Sequence, residues 1–227
     1  TDTDDGSSSA NDFDDSIMAG YGFQIDLNTS FTGEDSLDIS LDAGNTTTND
    51  LGIVEFDGNA TGDSLTVDGV SYTFPVGEKM TVIVGDNTDG SALFTTACTY
   101  AGPTNTLDDC GNVNAAITNG GAMAGASYDF GSGFTAAVGY AAGETDMATG
   151  LMSKETLDAY GVNAAYTGDN FGISVTYGLV ETSSADEDTF TAFNGYYSPD
   201  GFASISVGYE IGEDGSVTDK TADELTS

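Results

Sequence analysis

Apolar residues alternate with small or polar residues along most of this chain, with a period of two. In residues 171–179, for example, Phe171, Ile173 and Val175 alternate with glycine, serine and threonine. A period of two is that of an extended strand, whose successive side chains point to opposite faces. The pattern therefore predicts an all-β protein. The same alternation occurs in segments 22–28, 37–42, 70–74, 80–85, 134–141 and 204–211.

The face opposite the apolar one consists mainly of Gly, Ser, Ala and Asp. A soluble β-sandwich exposes its polar face to bulk water, where longer residues such as Lys, Arg and Glu are common. A membrane barrel instead has aliphatic and aromatic residues outside and small or polar residues inside, and its closed sheet satisfies every backbone hydrogen bond within lipid. The pattern favours an antiparallel transmembrane β-barrel with about ten strands in this chain. A secreted β-sandwich is the alternative.

Tight turns and longer polar connections alternate in the C-terminal half. Turns rich in Gly, Asp and Asn occur at 131–133, 167–170 and 198–201, whereas 144–155 and 181–188 are longer. The segments between them have roughly 8–11 residues, the span of a tilted transmembrane strand. Outer-membrane barrels have short turns at one end and long loops at the other. Tyr and Phe flank the tight turns, as in an interfacial aromatic girdle, although any sheet favours both residues.

The charge of the chain is strongly one-sided: 38 Asp and Glu stand against 3 Lys and Arg, with no His, for a formal charge of -35. Such a chain repels nucleic-acid backbones and anionic headgroups, so cations are its expected partners. Without His, neither a Ser-His-Asp nor a Cys-His catalytic set can form. Paired carboxylates can hydrolyse glycosidic bonds, but among 38 acids no pair stands out. We expect a protein that is not an enzyme and binds no nucleic acid.

Two segments near the N-terminus carry a family resemblance. The segment 27–37 (LNTSFTGEDSL), followed by LDAGN at 41–45, resembles the first porin-domain hairpin of cyanobacterial outer-membrane porins, and YTFPVG at 72–77 resembles the strand and turn after it. The resemblance implies a homotrimeric channel for small solutes and inorganic ions, of the carbohydrate or iron-uptake type, surrounded by outer-membrane lipid. In that family a surface-layer-homology domain and a coiled-coil segment precede the barrel.

Residues 1–227 would then belong to the porin β-barrel domain. The barrel of that family is usually longer than this chain, and the C-terminal segment 222–227 has no terminal aromatic residue. We therefore expect this chain to be a portion of a larger barrel of about sixteen strands. The alternative is a small complete barrel of about ten.

Three acidic residues are the candidates for setting the selectivity of such a pore. The alternation places Asp26, Asp38 and Asp42 on the face predicted to line the lumen. Relatives commonly carry Lys or Arg after the Phe-Thr-Gly turn, where this chain has Glu34, Asp38 and Ser40. Rings of carboxylates favour cations over anions, so the sequence predicts a cation-preferring pore. The alternative is that the acidity serves only the general solvation of the surface.

Residues 86–121 form the longest stretch without regular alternation. In general porins a long loop folds into the barrel and narrows it, so this segment is the candidate constriction loop; a purely external loop is the alternative. Both cysteines lie in it, and in an oxidising compartment Cys98 and Cys110 would form one disulfide, worth about 2–4 kcal/mol. Its charged candidates are Asp86, Asp89, Asp108 and Asp109.

No cofactor is predicted from these residues. Segments 2–6 and 86–90 come closest to acidic cation-binding loops, but neither fits the EF-hand pattern, which also needs a bidentate Glu. Weakly bound calcium or magnesium stays open, without a named metal site. The competing function is an acidic, calcium-dependent adhesin or a structural surface or filament protein, which would bury its apolar residues in its own core. Dependence on detergent discriminates between the two.

Overall fold

The protein is described by a computed structural model that covers residues 21–45, 61–99, 110, 112, 115, 117, 121–143, 157–181, 187–213, 215 and 224–226. These residues form one sheet of eleven strands, and each strand pairs with the next one along the chain. Every described pairing is antiparallel. Within the same residues, no helix is long and apolar enough to span a bilayer.

The strands follow the predicted alternating segments closely, so the prediction of an all-β, antiparallel chain with about ten strands is confirmed. Ten of the strands have 7 to 11 residues, and a final one has 3. Their bounds are β1 Gly22–Thr29, β2 Ser36–Gly44, β3 Thr66–Val76, β4 Met80–Asp86, β5 Ala122–Gly131, β6 Phe134–Ala142, β7 Asp158–Thr167, β8 Phe171–Glu181, β9 Glu187–Tyr197, β10 Ile205–Glu213 and β11 Glu224–Thr226.

The connections between strands differ at the two ends of the sheet. At one end, here the short-turn end, the strands are joined by residues 30–35, 77–79, 132–133, 168–170 and 198–204. At the other, the long-loop end, the connections are 45–65, 87–121, 143–157, 182–186 and 214–223. Positive φ angles at Gly77, Gly131 and Gly133 lie at or beside the tight turns, where such backbone conformations are needed.

Burial in the sheet is inverted relative to a soluble protein. On β8, Phe171, Ile173 and Val175 are exposed, whereas the intervening Ser174 and Thr176 are buried; Ile173 is 60% exposed and Thr176 0%. We call the apolar face that carries Ile173 the outer face and the opposite one the inner face. The register continues this division into neighbouring strands, since residues opposite each other share a face. The outer face is therefore the apolar one across the sheet.

The small buried core lies on the inner face near the long-loop end. Ile83 of β4, Met123 of β5 and Ala141 of β6 form a cluster with Ala159 of β7 and with Ile117 from the connection between β4 and β5. Two partly buried residues from the start of that connection, Leu93 and Phe94, pack against it. The core thus joins a loop to the sheet rather than two layers of strands.

The turn between β1 and β2 is organised around one carboxylate. Asp35 accepts hydrogen bonds from the hydroxyls of Ser30 at 2.6 Å, Tyr72 at 2.6 Å and Thr32 at 2.7 Å. It also accepts from the backbone N–H groups of Phe31 and Thr32. The hydroxyls of Ser30 and Tyr72 and the donors of Thr32 stabilise the charged form, so they hold the pKa of Asp35 well below its ordinary value.

This carboxylate predicts a pH-dependent contribution to stability. Because its pKa is lower in the folded state, Asp35 stabilises the fold above the ordinary carboxyl pKa of about 4 and loses that effect as the pH falls toward the folded-state value. We expect Asp35→Asn to lower the Tm at pH 7, and the difference from the wild type to shrink as the pH is lowered. Thermal unfolding monitored by circular dichroism from pH 7 downward measures both.

The matched control is Glu34→Gln, which removes the same charge from the exposed neighbour of Asp35. A Tm for Asp35→Asn that equals that of Glu34→Gln at every pH would contradict the role of Asp35.

Candidate functional site: a loop on the inner face

The connection between β4 and β5 folds back against the inner face of the sheet. At its root the N–H of Asn87 donates to the carbonyl of Gly121 at 3.0 Å, and the N–H of Gly90 donates to the carbonyl of Ile117 at 2.8 Å. The outgoing limb, residues 91–99, and the returning limb, described at residues 110, 112, 115 and 117, therefore start side by side. Here we call the described residues of this connection, namely 87–99, 110, 112, 115, 117 and 121, the inner loop.

Beyond a turn at residues 90–93, the outgoing limb crosses several strands of the sheet. The N–H of Thr95 donates to Asn163 Oδ1, that of Ala97 to Ser174 Oγ, and that of Thr99 to Ser206 Oγ, each at 2.9 Å. These three acceptors lie on β7, β8 and β10. The limb is thus held to the sheet through its main chain.

The returning limb is held by the remaining strands. Asn194 of β9 donates from Nδ2 to the carbonyl of Cys110 at 2.6 Å, and the N–H of Ala115 donates to Glu210 Oε2 of β10 at 3.0 Å. Cys98 and Cys110 form a disulfide between the two limbs, which confirms the predicted pairing. From β7 to β10, every strand contributes at least one side chain that holds the inner loop.

Glycines on the inner face let the inner loop approach the sheet closely. A Cβ at Gly139 would overlap with the carbonyl oxygen of Gly90, and one at Gly161 would lie 2.6 Å from Ile117 Cδ1. Real Cβ atoms do not come so close to other heavy atoms, because packing at that distance is repulsive. The absence of a side chain at Gly139 and Gly161 is therefore a condition for the observed docking.

The predicted selectivity carboxylates lie elsewhere on the same face. Asp26 of β1 is opposite Ser40, while Asp38 and Asp42 of β2 are opposite Asn28 and Gln24. The carboxylates thus alternate between the two strands in the axial order Asp38, Asp26, Asp42, at steps of two residues or about 7 Å. We call these three residues the carboxylate ladder.

Neutral polar groups hold the ladder in place. Asp26 accepts from Ser40 Oγ at 2.8 Å and from Gln24 Nε2 at 2.9 Å. Asp38 accepts from Ser36 Oγ at 2.7 Å and from Asn28 Nδ2. None of the described strands, β1 to β11, contains a Lys. No Lys of a described strand therefore neutralises Asp26 or Asp38.

The other predicted acids are not brought together with the ladder. Asp86 ends β4 opposite Val70, so its register puts it on the outer face at the long-loop end, and it is exposed. Asp89 lies at the root of the inner loop, where it accepts from the N–H of Ser91 at 2.7 Å. Asp108 and Asp109 lie outside the described residues. Among the described residues, no group of three or more His, Cys, Asp or Glu side chains is arranged to hold a metal ion.

Sequence reasoning missed the residues that hold the inner loop, above all Asn163, Ser174, Asn194 and Glu210. All four are buried, with Asn163 4% and Glu210 2% exposed. One signal was present in the sequence, because the inner face of β7 otherwise carries Ala, Gly and Thr, and that of β10 otherwise carries Ser and Gly. A large hydrogen-bonding residue on a face of small residues indicates a specific partner.

Comparison with known proteins gives weak likenesses only. No protein-family model and no curated protein matches this chain. A mutant of Rhodobacter blastica porin aligns with a TM-score of 0.45 and 13% identity, covering 86% of this chain and 74% of that one. A second mutant of that porin aligns at 0.41 with 11% identity over the same shares. These likenesses do not assign a function, and the proposal below rests on the geometry of this chain.

Because the inner loop packs closely on inner-face glycines, a larger side chain at one of them should release the loop without disturbing the strands. In Gly161→Val, the new side chain would collide with Ile117 and Phe94, so the inner loop should lift from the sheet. We expect the amides of residues 95–99 to lose protection against hydrogen exchange in detergent solution, while those of the strands keep it. Mass spectrometry of peptides from the exchanged protein measures this.

Gly195→Val is the matched control, because a Cβ there meets its nearest neighbour at an ordinary 3.4 Å. Equal protection of residues 95–99 in both variants would contradict the close docking of the inner loop.

Proposed function

We propose that this chain forms part of an outer-membrane β-barrel that works as a passive channel for small hydrophilic solutes and inorganic ions, with a preference for cations. The observation that carries the proposal is the inverted burial of the sheet. Large apolar side chains on its outer face are exposed, whereas its small and polar face carries a loop.

Lipid is the solvent that suits the outer face. A fully buried Val, Leu, Ile or Phe side chain gains about 1.5–3 kcal/mol relative to water, and this face exposes many of them. A water-soluble adhesin would have packed them in its own core, so the face favours the channel over that alternative. Exposed outer residues include Phe23, Ile25, Leu27, Val138, Val162, Ile173, Phe193, Ile205 and Val207.

Aromatic residues at the short-turn end support a membrane boundary there. Phe134 and Tyr166 lie opposite each other, with ring centroids 4.8 Å apart, and Tyr166 lies 5.1 Å from Phe171. Tyr128 and Phe130 form a further pair at 4.8 Å. Clustered aromatic rings at one level of a sheet are typical of the interfacial girdle of outer-membrane barrels.

Strand direction supports a barrel larger than the described sheet. Because each strand is antiparallel to the next, β1 and β11 run in the same direction. Bacterial barrels that are antiparallel throughout have an even number of strands, so further strands would be needed between these edges. We propose a barrel of about sixteen strands, assembled as a homotrimer in outer-membrane lipid.

The inner face would line the lumen of that barrel. The inner loop would then narrow the pore as a constriction loop, and the carboxylate ladder would line the wall formed by β1 and β2. Carboxylates at successive axial positions attract cations at several weak sites, which favours entry without trapping the ion.

Conductance tests the channel directly. Purified, detergent-solubilised protein should give stable single-channel currents in a planar bilayer, and under a KCl gradient the reversal potential should have the sign of a cation preference. A protein that stays soluble without detergent and gives no current would overturn the channel and favour the adhesin.

The carboxylate ladder predicts the residues behind the selectivity. The triple variant Asp26→Asn, Asp38→Asn and Asp42→Asn keeps side-chain size and removes three negative charges from the proposed lumen. We expect it to conduct but to lose most of the cation preference, so that the reversal potential moves toward zero. The measurement is the same KCl gradient, and low salt should enlarge the difference because screening is weaker.

The control removes three charges from the short turns through Glu78→Gln, Asp169→Asn and Asp200→Asn. An equal shift of the reversal potential in both triple variants would show that overall acidity, and not the ladder, sets the preference.

A further inference from the structure

The inner loop is held mainly by its main chain, and the contact of Asn163 is the most complete. Asn163 Oδ1 accepts from the N–H of Thr95 at 2.9 Å, while Asn163 Nδ2 donates to the carbonyl of the same residue at 3.1 Å. The amide side chain thus bonds Thr95 as the peptide group of a neighbouring strand would. The Asn163 side chain thus takes the place of a paired strand, since no described strand pairs with the outgoing limb.

Neighbouring side chains fix the orientation of this amide. Asn163 Nδ2 also donates to Thr176 Oγ1 of β8 at 2.8 Å. The N–H of Thr95 can only donate, so Oδ1 must face it. On the next strands, Ser174 Oγ accepts from the N–H of Ala97, and Asn194 Nδ2 donates to the carbonyl of Cys110. Ser174 Oγ also donates to Asn194 Oδ1 at 3.4 Å. Asn163, Ser174 and Asn194 form what we call the latch.

The latch and the root of the inner loop are held by different interactions. The root is apolar, since Ile117 and Phe94 pack on Ile83 and Met123, and its release would expose hydrocarbon to water. The latch consists of neutral hydrogen bonds, which water in a lumen can replace at a modest net cost. In such a loop the root stays packed on the sheet, while the outgoing limb can be released.

We propose that Asn163 is the positioning residue of a reversible latch, which keeps the outgoing limb of the inner loop across the lumen and so holds the channel in a narrow state. The inference rests on the proposed channel function. Release of the limb from Asn163, Ser174 and Ser206 gives a wider state, while the apolar root and the Cys98–Cys110 disulfide keep the two limbs together.

The test is Asn163→Leu, which keeps the approximate size of the side chain and removes both hydrogen bonds to Thr95. Loss of these bonds should raise the released population about tenfold. In planar bilayers we expect frequent steps to a higher conductance and entry of larger neutral polyethylene glycols. The reversal potential should stay unchanged, because the carboxylate ladder is intact.

Asn170→Leu is the matched control. Asn170 lies in the turn between β7, which carries Asn163, and β8, and it donates to the carbonyl of Ser198 instead of to the inner loop. A purely structural role for Asn163 would lower the Tm and the yield of inserted channels without changing the current through each one. Asn163→Leu channels with wild-type conductance and polymer exclusion would overturn the latch while leaving the channel function intact. Absence of current from the wild type would overturn the channel function itself.

Ser174→Ala provides a second route if Asn163→Leu does not insert. It removes only the acceptor of the Ala97 N–H, so the amide of Ala97 should exchange faster than in the wild type in detergent. Unchanged exchange at Ala97 would also overturn the latch.

Discussion

The main-chain hydrogen bond is the interaction on which this structure depends. A strand that crosses lipid finds no partner there for its N–H and C=O groups, so every one must be bonded by another strand. In the described sheet, ten successive antiparallel pairings join β1 to β11, and the strands from β2 to β10 are each paired on both sides. They also fix the faces, because a register in which Val138 lies opposite Val162 and Gly139 opposite Gly161 places most of the large apolar residues on one side. The inverted burial follows from the pairing.

The inner loop obeys the same constraint by other means. Its outgoing limb is partly buried against the inner face but has no strand beside it, so its N–H groups need different acceptors. Asn163, Ser174 and Ser206 supply them at every second residue. Glycine at 139 and 161 brings the limb near enough for these bonds to form. The inner face thus has two kinds of residue with different roles. The glycines leave space for the limb to approach, and the polar side chains accept its hydrogen bonds.

Charge is divided between two regions of the inner face. The carboxylate ladder occupies β1 and β2, whereas the surface beneath the inner loop is almost neutral. A carboxylate under a docked main chain would meet carbonyl oxygens as well as N–H groups, which raises its desolvation cost. Glu210 is the described exception, and the N–H of Ala115 bonds it. Neutral side chains position the inner loop, and charged ones face the space that remains.

The sequence by itself determined the strands, their two faces and the disulfide. Alternation is a local property, since backbone geometry sends successive side chains to opposite sides whatever lies around them. Two cysteines allow only one pairing within the chain. The tertiary structure alone decided that the inner loop folds onto the inner face and that Asn163 bonds Thr95. Those contacts join residues far apart in the chain, as positions 95 and 163 are, and depend on the docking of the loop, which no local pattern encodes.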